Sequence, residues 1–359
     1  MPPSPSHPSD FAPAIVTLQM IADRAGVAKS SVSYALNNHP KIPPATRERI
    51  QRVARELGHR SNPRVASLMT HIRNAHSREH SETIAFVWVH ASREETSRMP
   101  YLRESFRGAV ARARMLGFKL EQFFINDPGM TDRRLAQILR ARGIVGVVFS
   151  PGEVFELVIR LDWDWSRFAM AVIGNIEWVP QLHCAAAHHF LTMRTMVLEL
   201  QKLGCRRPAL LLESSLNKRA YGTLEGAFLT FHPTPADARH LLRVQTYTEK
   251  LDANQWLDAT RADALIVSKN EFFRMGACEA ARKRGLPVVT EEWRQNVVPR
   301  GVGGICQRND YIASKAVDLV VSQLHANETG VPDMPCRMLF SGKWIPPAIR
   351  PRRKSLASR

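Results

Sequence analysis

The apolar positions near the N-terminus recur with the spacing of short amphipathic helices. Residues 17–26 predict a first helix, which Thr17 would cap at its start and Gly26 would end in a tight turn. A second helix is predicted over 28–37. Small or branched apolar side chains would form the contact between the two helices: Ile21, Ala22, Ala25, Val32 and Leu36. Two short helices joined by a glycine turn are typical of a helix-turn-helix.

A third helix is predicted from about Pro44 to Leu57, and proline suits its first turn. Apolar side chains repeat along one face at helical spacing: Ile50, Val53, Ala54 and Leu57. The opposite face carries basic side chains that we expect to be free to meet phosphates: Arg47, Arg49, Arg52 and Arg55. Any three-helix bundle could share this period, but it would not also need Ala22, Gly26 and Val32 at these spacings.

From residue 81 onward, apolar runs alternate with helical patterns. Strands are predicted at 83–89, 119–125, 143–149, 167–173, 208–212 and 261–267. Helices are predicted between them, at 106–117, 135–142 and 190–203. This alternation of strand and helix predicts an α/β body with parallel sheets in two sub-domains.

Basic residues are concentrated in the predicted helical head. The whole chain has 50 Lys and Arg against 33 Asp and Glu, a net charge of +17, and residues 15–80 contribute eleven basic and four acidic residues. A compact basic module favours a nucleic-acid partner, because each neutralised phosphate releases counterions. Charge alone fits a solvated basic face equally well, and the surplus of the whole chain would also suit an acidic membrane surface. No apolar run of about 18 residues occurs, so we expect no membrane-spanning segment.

The N-terminal residues and the cysteines bear on the compartment. Residues 1–14 are rich in Pro and Ser and lack the basic start and apolar core of a signal peptide, so we expect a disordered leader in a cytoplasmic protein. The five cysteines lie far apart with no C-x-x-C pair: Cys184, Cys205, Cys278, Cys306 and Cys336. Such spacing predicts buried thiols in a reducing compartment.

Three motifs follow one another in the head: T-L-Q-M-I-A-D-R-A-G-V-A-K-S-S-V-S-Y-A-L-N from Thr17, T-R-E-R-I from Thr46, and R-E-L-G-H-R-S-N-P-R-V-A-S-L from Arg55. Together they resemble the N-terminal head of the lactose/galactose repressor (LacI/GalR) family. The resemblance implies that the second helix enters the major groove of DNA, and that a homodimer binds a pseudo-palindromic operator.

The resemblance also implies individual DNA contacts. By position, Lys29, Ser30 and Tyr34 would face base edges. Phosphates would be held by Thr17, Ser31, Ser33, Asn37 and Thr46. The family usually has arginine at the position of Tyr34, and a phenol would favour a thymine methyl or a water-mediated contact. His59 stands where tyrosine is usual, which would make its backbone contact sensitive to pH.

Residues 62–69 match the hinge helix of the same family. A helix this short is marginal in isolation. The resemblance implies that it folds when two copies pair over the minor groove, with Asn62 at its start and Leu68 wedged between base steps. The alternative is a linker whose Leu68 packs on the body.

Weaker motifs in the body resemble the effector-binding part of the family, which shares its fold with periplasmic sugar-binding proteins. They are L-G-C-R-R-P-A-L-L-L, R-A-Y-G, A-L-I-V-S-K-N-E, M-G-A-C-E-A-A-R-K-R-G-L-P-V and F-S-G-K-W. The resemblance implies a ligand cleft between the sub-domains, between which the chain crosses three times. By position, the ligand would meet Arg219, Asn270, Glu271 and His188. Glu271 replaces the aspartate of the family.

One segment departs from the family pattern. Residues 290–300 are shorter than the corresponding family segment and lack its strand signature. We therefore expect part of one strand and one wall of the cleft to be missing or remodelled.

Two other functional classes are open to this sequence. An enzyme or metal protein is suggested by the cluster of His183, Cys184, His188 and His189, but this spacing matches no established set of metal ligands. Nucleophile-elbow, P-loop and dinucleotide-binding motifs do not occur, so we expect no catalytic activity, metal or cofactor. A solute-binding protein would fit the body alone but not the basic head.

The expected organisation is a leader at 1–14, a helix-turn-helix domain at 15–61, a hinge and linker at 62–80, a body at 81–345 and a basic tail at 346–359. The expected function is that of a sequence-specific transcriptional repressor. A small-molecule effector, such as a sugar or sugar derivative, would modulate its operator affinity. The alternative is a solute-binding-type sensor that binds DNA without sequence preference and responds little to effector.

Overall fold

The structure is a computed structural model that describes residues 16–36, 39, 41–59, 82–152, 158–246, 248–268, 273 and 276–348. The chain divides into two compact units, of which the first comprises Met1–Ser81 with Val321–Thr329 and the second Glu82–Val320 with Gly330–Arg359. Several predictions fall outside the described residues: the leader, Asn37, the hinge with Asn62 and Leu68, and the pair Asn270 and Glu271.

Three helices form the N-terminal head: α1 (Leu18–Ala25), α2 (Lys29–Leu36) and α3 (Pro44–Glu56). The hydroxyl of Thr17 caps α1 by accepting from the Met20 amide at 3.3 Å. Gly26 ends α1 in the left-handed region with φ of 64°, and its N–H donates to the Ala22 carbonyl. Because a Cβ disfavours this conformation, glycine suits the turn. The predicted helix-turn-helix is confirmed.

The head has a small apolar core of its own. Its buried members are Ile21, Ala22, Ala25, Val32, Ala35, Ile42, Ile50 and Ala54. The side-chain amide of Gln51 donates to the Ala35 carbonyl at 3.0 Å, which ties α3 to α2. The core therefore fixes the orientation of α2, the helix that carries the predicted base contacts.

The remaining described elements alternate strand and helix. The helices are α4 (Arg93–Arg98), α5 (Pro100–Met115), α6 (Asp132–Ala141), α7 (His189–Lys202), α8 (Ser214–Arg219), α9 (Thr223–Phe231), α10 (Ala253–Thr260), α11 (Ala277–Lys283) and α12 (Asn309–Ala326). The strands are β1 (Thr83–Trp88), β2 (Lys119–Phe124), β3 (Gly146–Phe149), β4 (Val158–Arg160), β5 (Ala169–Ile173), β6 (Glu177–Val179), β7 (His183–Ala187), β8 (Pro208–Glu213), β9 (Leu242–Gln245), β10 (Ala264–Val267), β11 (Val288–Thr290), β12 (Gly303–Cys306), β13 (Arg337–Phe340) and β14 (Lys343–Ile345).

Two six-stranded sheets define two sub-domains within the described part of the body. The first has the order β13-β7-β5-β3-β1-β2 and the second β14-β12-β11-β10-β8-β9. Neighbouring strands run parallel, except that β14 is antiparallel to β12. The chain passes between the sheets after β7, after β12 and after β13, which confirms the three expected crossings. The expected α/β architecture is likewise confirmed.

The two sub-domains have different cores. Aromatic rings dominate part of the first, where Phe149 lies 4.6 Å from Trp178 and 5.4 Å from Trp163 between ring centroids. The second is mainly aliphatic, and Leu210 and Ile266 on its central strands are fully buried. None of the described helices combines the length and apolar character that a bilayer span requires.

The segment that departs from the family pattern begins where strand β11 ends, at Thr290. Strand β11 is present and pairs with β12, with Thr290 opposite Gly304. The backbones of β11 and β12 lie close together there. A Cβ on Gly304 would lie 2.0 Å from the Thr290 carbonyl oxygen. The loop 291–302 joins the two strands and contains no strand of its own, in agreement with the strand signature that this segment lacks.

Candidate functional site

Helix α2 divides its residues between the head core and an exposed polar face. Val32 and Ala35 are buried. Lys29 and Ser30 are exposed, and Tyr34 keeps 41% of its surface accessible. At about 3.6 residues per turn, these three side chains lie on the side of the helix away from the core. The structure thus brings the three predicted base-reading residues together on one surface.

The predicted phosphate contacts lie around this surface. Ser31 and Ser33 are half-buried on α2. Thr17 is exposed at the start of α1, and Thr46 is half-buried in the first turn of α3. Both helix starts carry the positive end of the helix dipole, which favours phosphates, and the start of α3 has no side-chain cap. His59 lies half-buried after α3.

The basic face of α3 differs from expectation at one position. The Arg47 guanidinium donates to the carbonyls of Ile42 at 3.1 Å and His39 at 3.4 Å, so it holds the chain between α2 and α3. The expectation that Arg47 is free to meet phosphates is wrong, since sequence spacing does not show a bond to a backbone carbonyl. The other three arginines of this face are exposed: Arg49, Arg52 and Arg55.

Tyr34 has an aromatic neighbour that the sequence did not indicate. The ring of His39 lies 4.6 Å from the Tyr34 ring between centroids, with 32° between the planes. The His39 amide donates to the Tyr34 carbonyl at 2.8 Å. The phenol predicted to face a base edge therefore packs against a second ring within the head.

A second candidate site is a cavity of about 120 Å³ in the body. It lies beyond the carboxyl ends of strands from both sheets, where folds of this type bind ligands. The polar residues of its lining are Tyr101, Asn175, His189, Arg219, Glu291, Glu292, Gln307 and Asn309. Both hydrogen-bond donors and acceptors thus converge on one space.

The described effector candidates have different positions. Arg219 lines the cavity, and its Nη1 donates to the Ser215 hydroxyl at 3.0 Å. His188 is instead the N-cap of α7, where Nδ1 accepts from the Leu191 amide at 3.4 Å. It is the next residue, His189, that lines the cavity. Arg219 therefore lies where the predicted effector contact is possible. The His188 imidazole instead caps helix α7.

The loop 291–302 supplies a buried carboxylate to the same cavity. Glu291 follows β11 directly, and its Oε2 accepts from the Gln307 side-chain amide at 2.5 Å. The same amide also donates to the Glu291 carbonyl at 2.8 Å. His189 Nδ1 lies 3.5 Å from Glu291 Oε2. None of these three residues was predicted from the sequence as an effector contact, although the position of Glu291 after a buried strand was a usable signal.

Arg294 of this loop reaches the other sub-domain. Its side chain is only 8% exposed, and Nη2 lies 2.6 Å from Glu292 Oε1. Its Nε lies 3.6 Å from Glu104 Oε2 on α5. The guanidinium also lies over the ring of Tyr101, 5.2 Å from the centroid. Because Tyr101 and Glu292 both line the cavity, Arg294 joins the two sub-domains at its rim.

The histidine and cysteine cluster does not form a metal site in the described part of the chain, where no group of three metal-ligating side chains occurs. His183 Nδ1 accepts from the Cys336 amide at 2.9 Å. Burial raises the pKa of the Cys184 thiol, which disfavours the thiolate. Cys205 and Cys278 are also buried, but Cys306 is half-buried and Cys336 is exposed, so the expectation of buried thiols fails for these last two.

Comparisons with known proteins bear on the head and on the fold. Residues 17–62 match the family described as bacterial regulatory proteins, lacI family. The HTH-type transcriptional regulator CelR of Thermobifida fusca is 28% identical over 134 residues, which make up 37% of this chain and 36% of that protein. The match thus spans about a third of the relative's length.

Two solved structures resemble this chain over most of its length. The transcriptional regulator CelR–cellobiose complex aligns with a TM-score of 0.53 at 19% identity, over 92% of this chain and 98% of the other. The lac repressor dimer bound to operator and the anti-inducer ONPF aligns with a TM-score of 0.52 at 16% identity, over 93% and 98% of the chains. At identities this low, the two alignments show that the fold is shared and nothing more.

Proposed function

We propose that this chain is a sequence-specific transcription regulator, a proposal supported by the match of residues 17–62 to the lacI family of bacterial regulatory proteins. It binds a pseudo-palindromic operator as a homodimer and acts as a repressor. The observation that carries the proposal is the division of α2 into a buried side, with Val32 and Ala35, and an exposed side, with Lys29, Ser30 and Tyr34. A helix fixed in this way can enter a major groove without disturbing its own core.

The exposed side of α2 offers groups suited to base edges. The Lys29 ammonium can donate to the guanine O6 and N7 acceptors. The Ser30 hydroxyl can donate or accept. The Tyr34 ring can contact a thymine methyl group, and its hydroxyl can bond a base directly or through water. These three side chains would determine the operator sequence.

Phosphate contacts would position this helix in the groove. The proposed contacts are Thr17, Ser31, Ser33, Asn37, Thr46 and His59, together with the exposed arginines of α3. Phosphate contacts fix register but carry no direct sequence information. The hinge residues Asn62 and Leu68 are proposed to follow the family in reaching the minor groove.

The cavity of the body is the proposed effector site. Arg219 and Asn309 offer donors, and Glu291 and the Gln307 side-chain carbonyl offer acceptors, a combination that suits a sugar or sugar derivative. Asn270 and Glu271 are proposed to join them. A ligand that prefers one arrangement of the sub-domains would change operator affinity by a coupling of about 1–3 kcal/mol. The solved relatives with cellobiose and ONPF support a ligand of this class.

The proposed role is regulatory and needs no catalysis, metal or cofactor. We place the protein in the cytoplasm, where the proposed operator DNA lies. The second candidate is a sensor that binds DNA without sequence preference, as an unspecialised basic surface would do.

Selection of bound duplexes from a random pool separates the two candidates. The full chain should enrich a site with two-fold symmetry, because a homodimer presents two copies of α2. A pool that remains unenriched, together with equal affinity for all duplexes, would leave the non-specific sensor as the function.

A further inference from the structure

The contact between Tyr34 and His39 is not explained by the packing of the head core. Tyr34 lies on the exposed side of α2, and His39 follows the helix. Their rings lie 4.6 Å apart between centroids. An exposed tyrosine without such a neighbour would sample several rotamers.

His39 is itself held at three points. Its amide donates to the Tyr34 carbonyl at 2.8 Å, and its carbonyl accepts from the Ile42 amide at 3.1 Å. Its ring Nδ1 accepts from the Lys41 amide at 3.2 Å. The Arg47 guanidinium reaches the same carbonyl at 3.4 Å. These bonds engage both the backbone and the ring of His39, so they restrain the surface that packs against Tyr34.

We propose that His39 is a positioning residue that determines which base pair Tyr34 prefers. This inference rests on the proposed function of the head. Ordering a side chain on binding costs conformational entropy, and a contact present before binding reduces that cost. The fixed ring also restricts the directions in which the phenol can meet a base edge. His39 therefore acts on specificity through Tyr34 and not through a contact of its own with DNA.

Three substitutions in the full chain separate the ring from its hydrogen bond. His39→Phe keeps an aromatic face but loses the Nδ1 acceptor. His39→Asn keeps an acceptor near that position but loses the ring. His39→Ala loses both, and Tyr34→Ala identifies the base pair that Tyr34 reads. Each protein is assayed on the selected operator, on operators changed at that base pair and on an unrelated duplex.

His39→Ala and His39→Asn should weaken binding to the selected operator by about fivefold, the magnitude expected for one aromatic pair. They should also reduce discrimination at the base pair that Tyr34→Ala affects. His39→Phe should retain most of both properties. In the Tyr34→Ala background, His39→Ala should have little further effect, because the ring would have nothing left to position. Binding to the unrelated duplex should stay unchanged.

Additive effects of Tyr34→Ala and His39→Ala, or equal losses on all duplexes, would overturn the proposal. Loss of binding in His39→Phe with retention in His39→Asn would show that only the hydrogen bond to Lys41 matters, which would also overturn it. Thermal unfolding of each variant identifies loss of the fold. If His39→Ala does not fold, the comparison of the Phe and Asn variants decides. Failure of the wild-type chain to select any operator would instead reject the proposed function.

Discussion

Neighbouring residues of one short helix have opposite roles in this protein. Val32 and Ala35 hold α2 to the head core, whereas Lys29 and Tyr34 of the same helix stay exposed. The difference is angular, because about 100° separates successive residues of a helix. A substitution on the exposed side should therefore change DNA recognition without changing stability, and the chemistry of each side chain decides which kind of recognition is lost.

Lys29→Ala and Arg49→Ala should affect DNA binding in different ways. Lys29→Ala should cost about 1–3 kcal/mol on the selected operator and little on other duplexes, because a base contact is lost. Arg49→Ala should weaken binding to all duplexes by a similar factor, because phosphates are common to them. Fluorescence anisotropy at several salt concentrations measures both effects. Equal behaviour of the two variants would contradict the assignment of Lys29 to a base edge.

Gly304→Ala should destabilise the body by at least about 2 kcal/mol. The added Cβ would lie 2.0 Å from the Thr290 carbonyl oxygen, and the residue has φ of 145°. Gly226 is the matched control, since it lies in helix α9 with no atom within 4 Å of an added Cβ. Gly226→Ala should leave stability unchanged or raise it by up to about 1 kcal/mol. Urea unfolding compares the two, and equal midpoints would exclude the predicted clash.

At the scale of elements, the sequence predicted features that depend on neighbouring residues better than features that depend on contacts between distant elements. The head helices were predicted to within one residue at the ends that the structure describes, because Thr17 and Gly26 act on their immediate neighbours. Two strands were predicted to begin too early. Gly143 and Arg261 both have positive φ and end the preceding helices, so β3 and β10 start three residues later than expected.

Contacts between distant elements could not be predicted from one sequence. The stacking of His39 on Tyr34 depends on the path of the chain after α2. The burial of Glu291 against Gln307 depends on the pairing of β11 with β12. Shortening of the 290–300 segment indicated a loss of structure, yet the loop contributes polar groups to the cavity.

The loop after β11 should stabilise the arrangement of the two sub-domains through Arg294. Arg294→Ala leaves Glu292 and Glu104 without the guanidinium, and these carboxylates are only 19% and 35% exposed. We expect a loss of about 1–3 kcal/mol in the free energy of unfolding. Arg133→Ala is the control, because its pair with Asp162 is exposed to solvent and should contribute less than about 1 kcal/mol. Chemical denaturation that gives equal losses would show that the rim contact of Arg294 adds nothing.

At the scale of the whole molecule, the proposed homodimer would present two basic heads to DNA and so double the electrostatic contribution of one head. Each protomer exposes Arg49, Arg52 and Arg55 on α3. If these three arginines neutralise phosphates, the slope of log K against log salt should be roughly −3 for an operator half-site bound by one head. The full palindrome engages two heads and should give a slope of roughly −5. Titrations of the full chain on the half-site and on the full palindrome, each at several salt concentrations, measure the two slopes. Equal slopes would show that only one head contacts DNA, since release of counterions depends on the number of phosphates neutralised and not on the sequence between them.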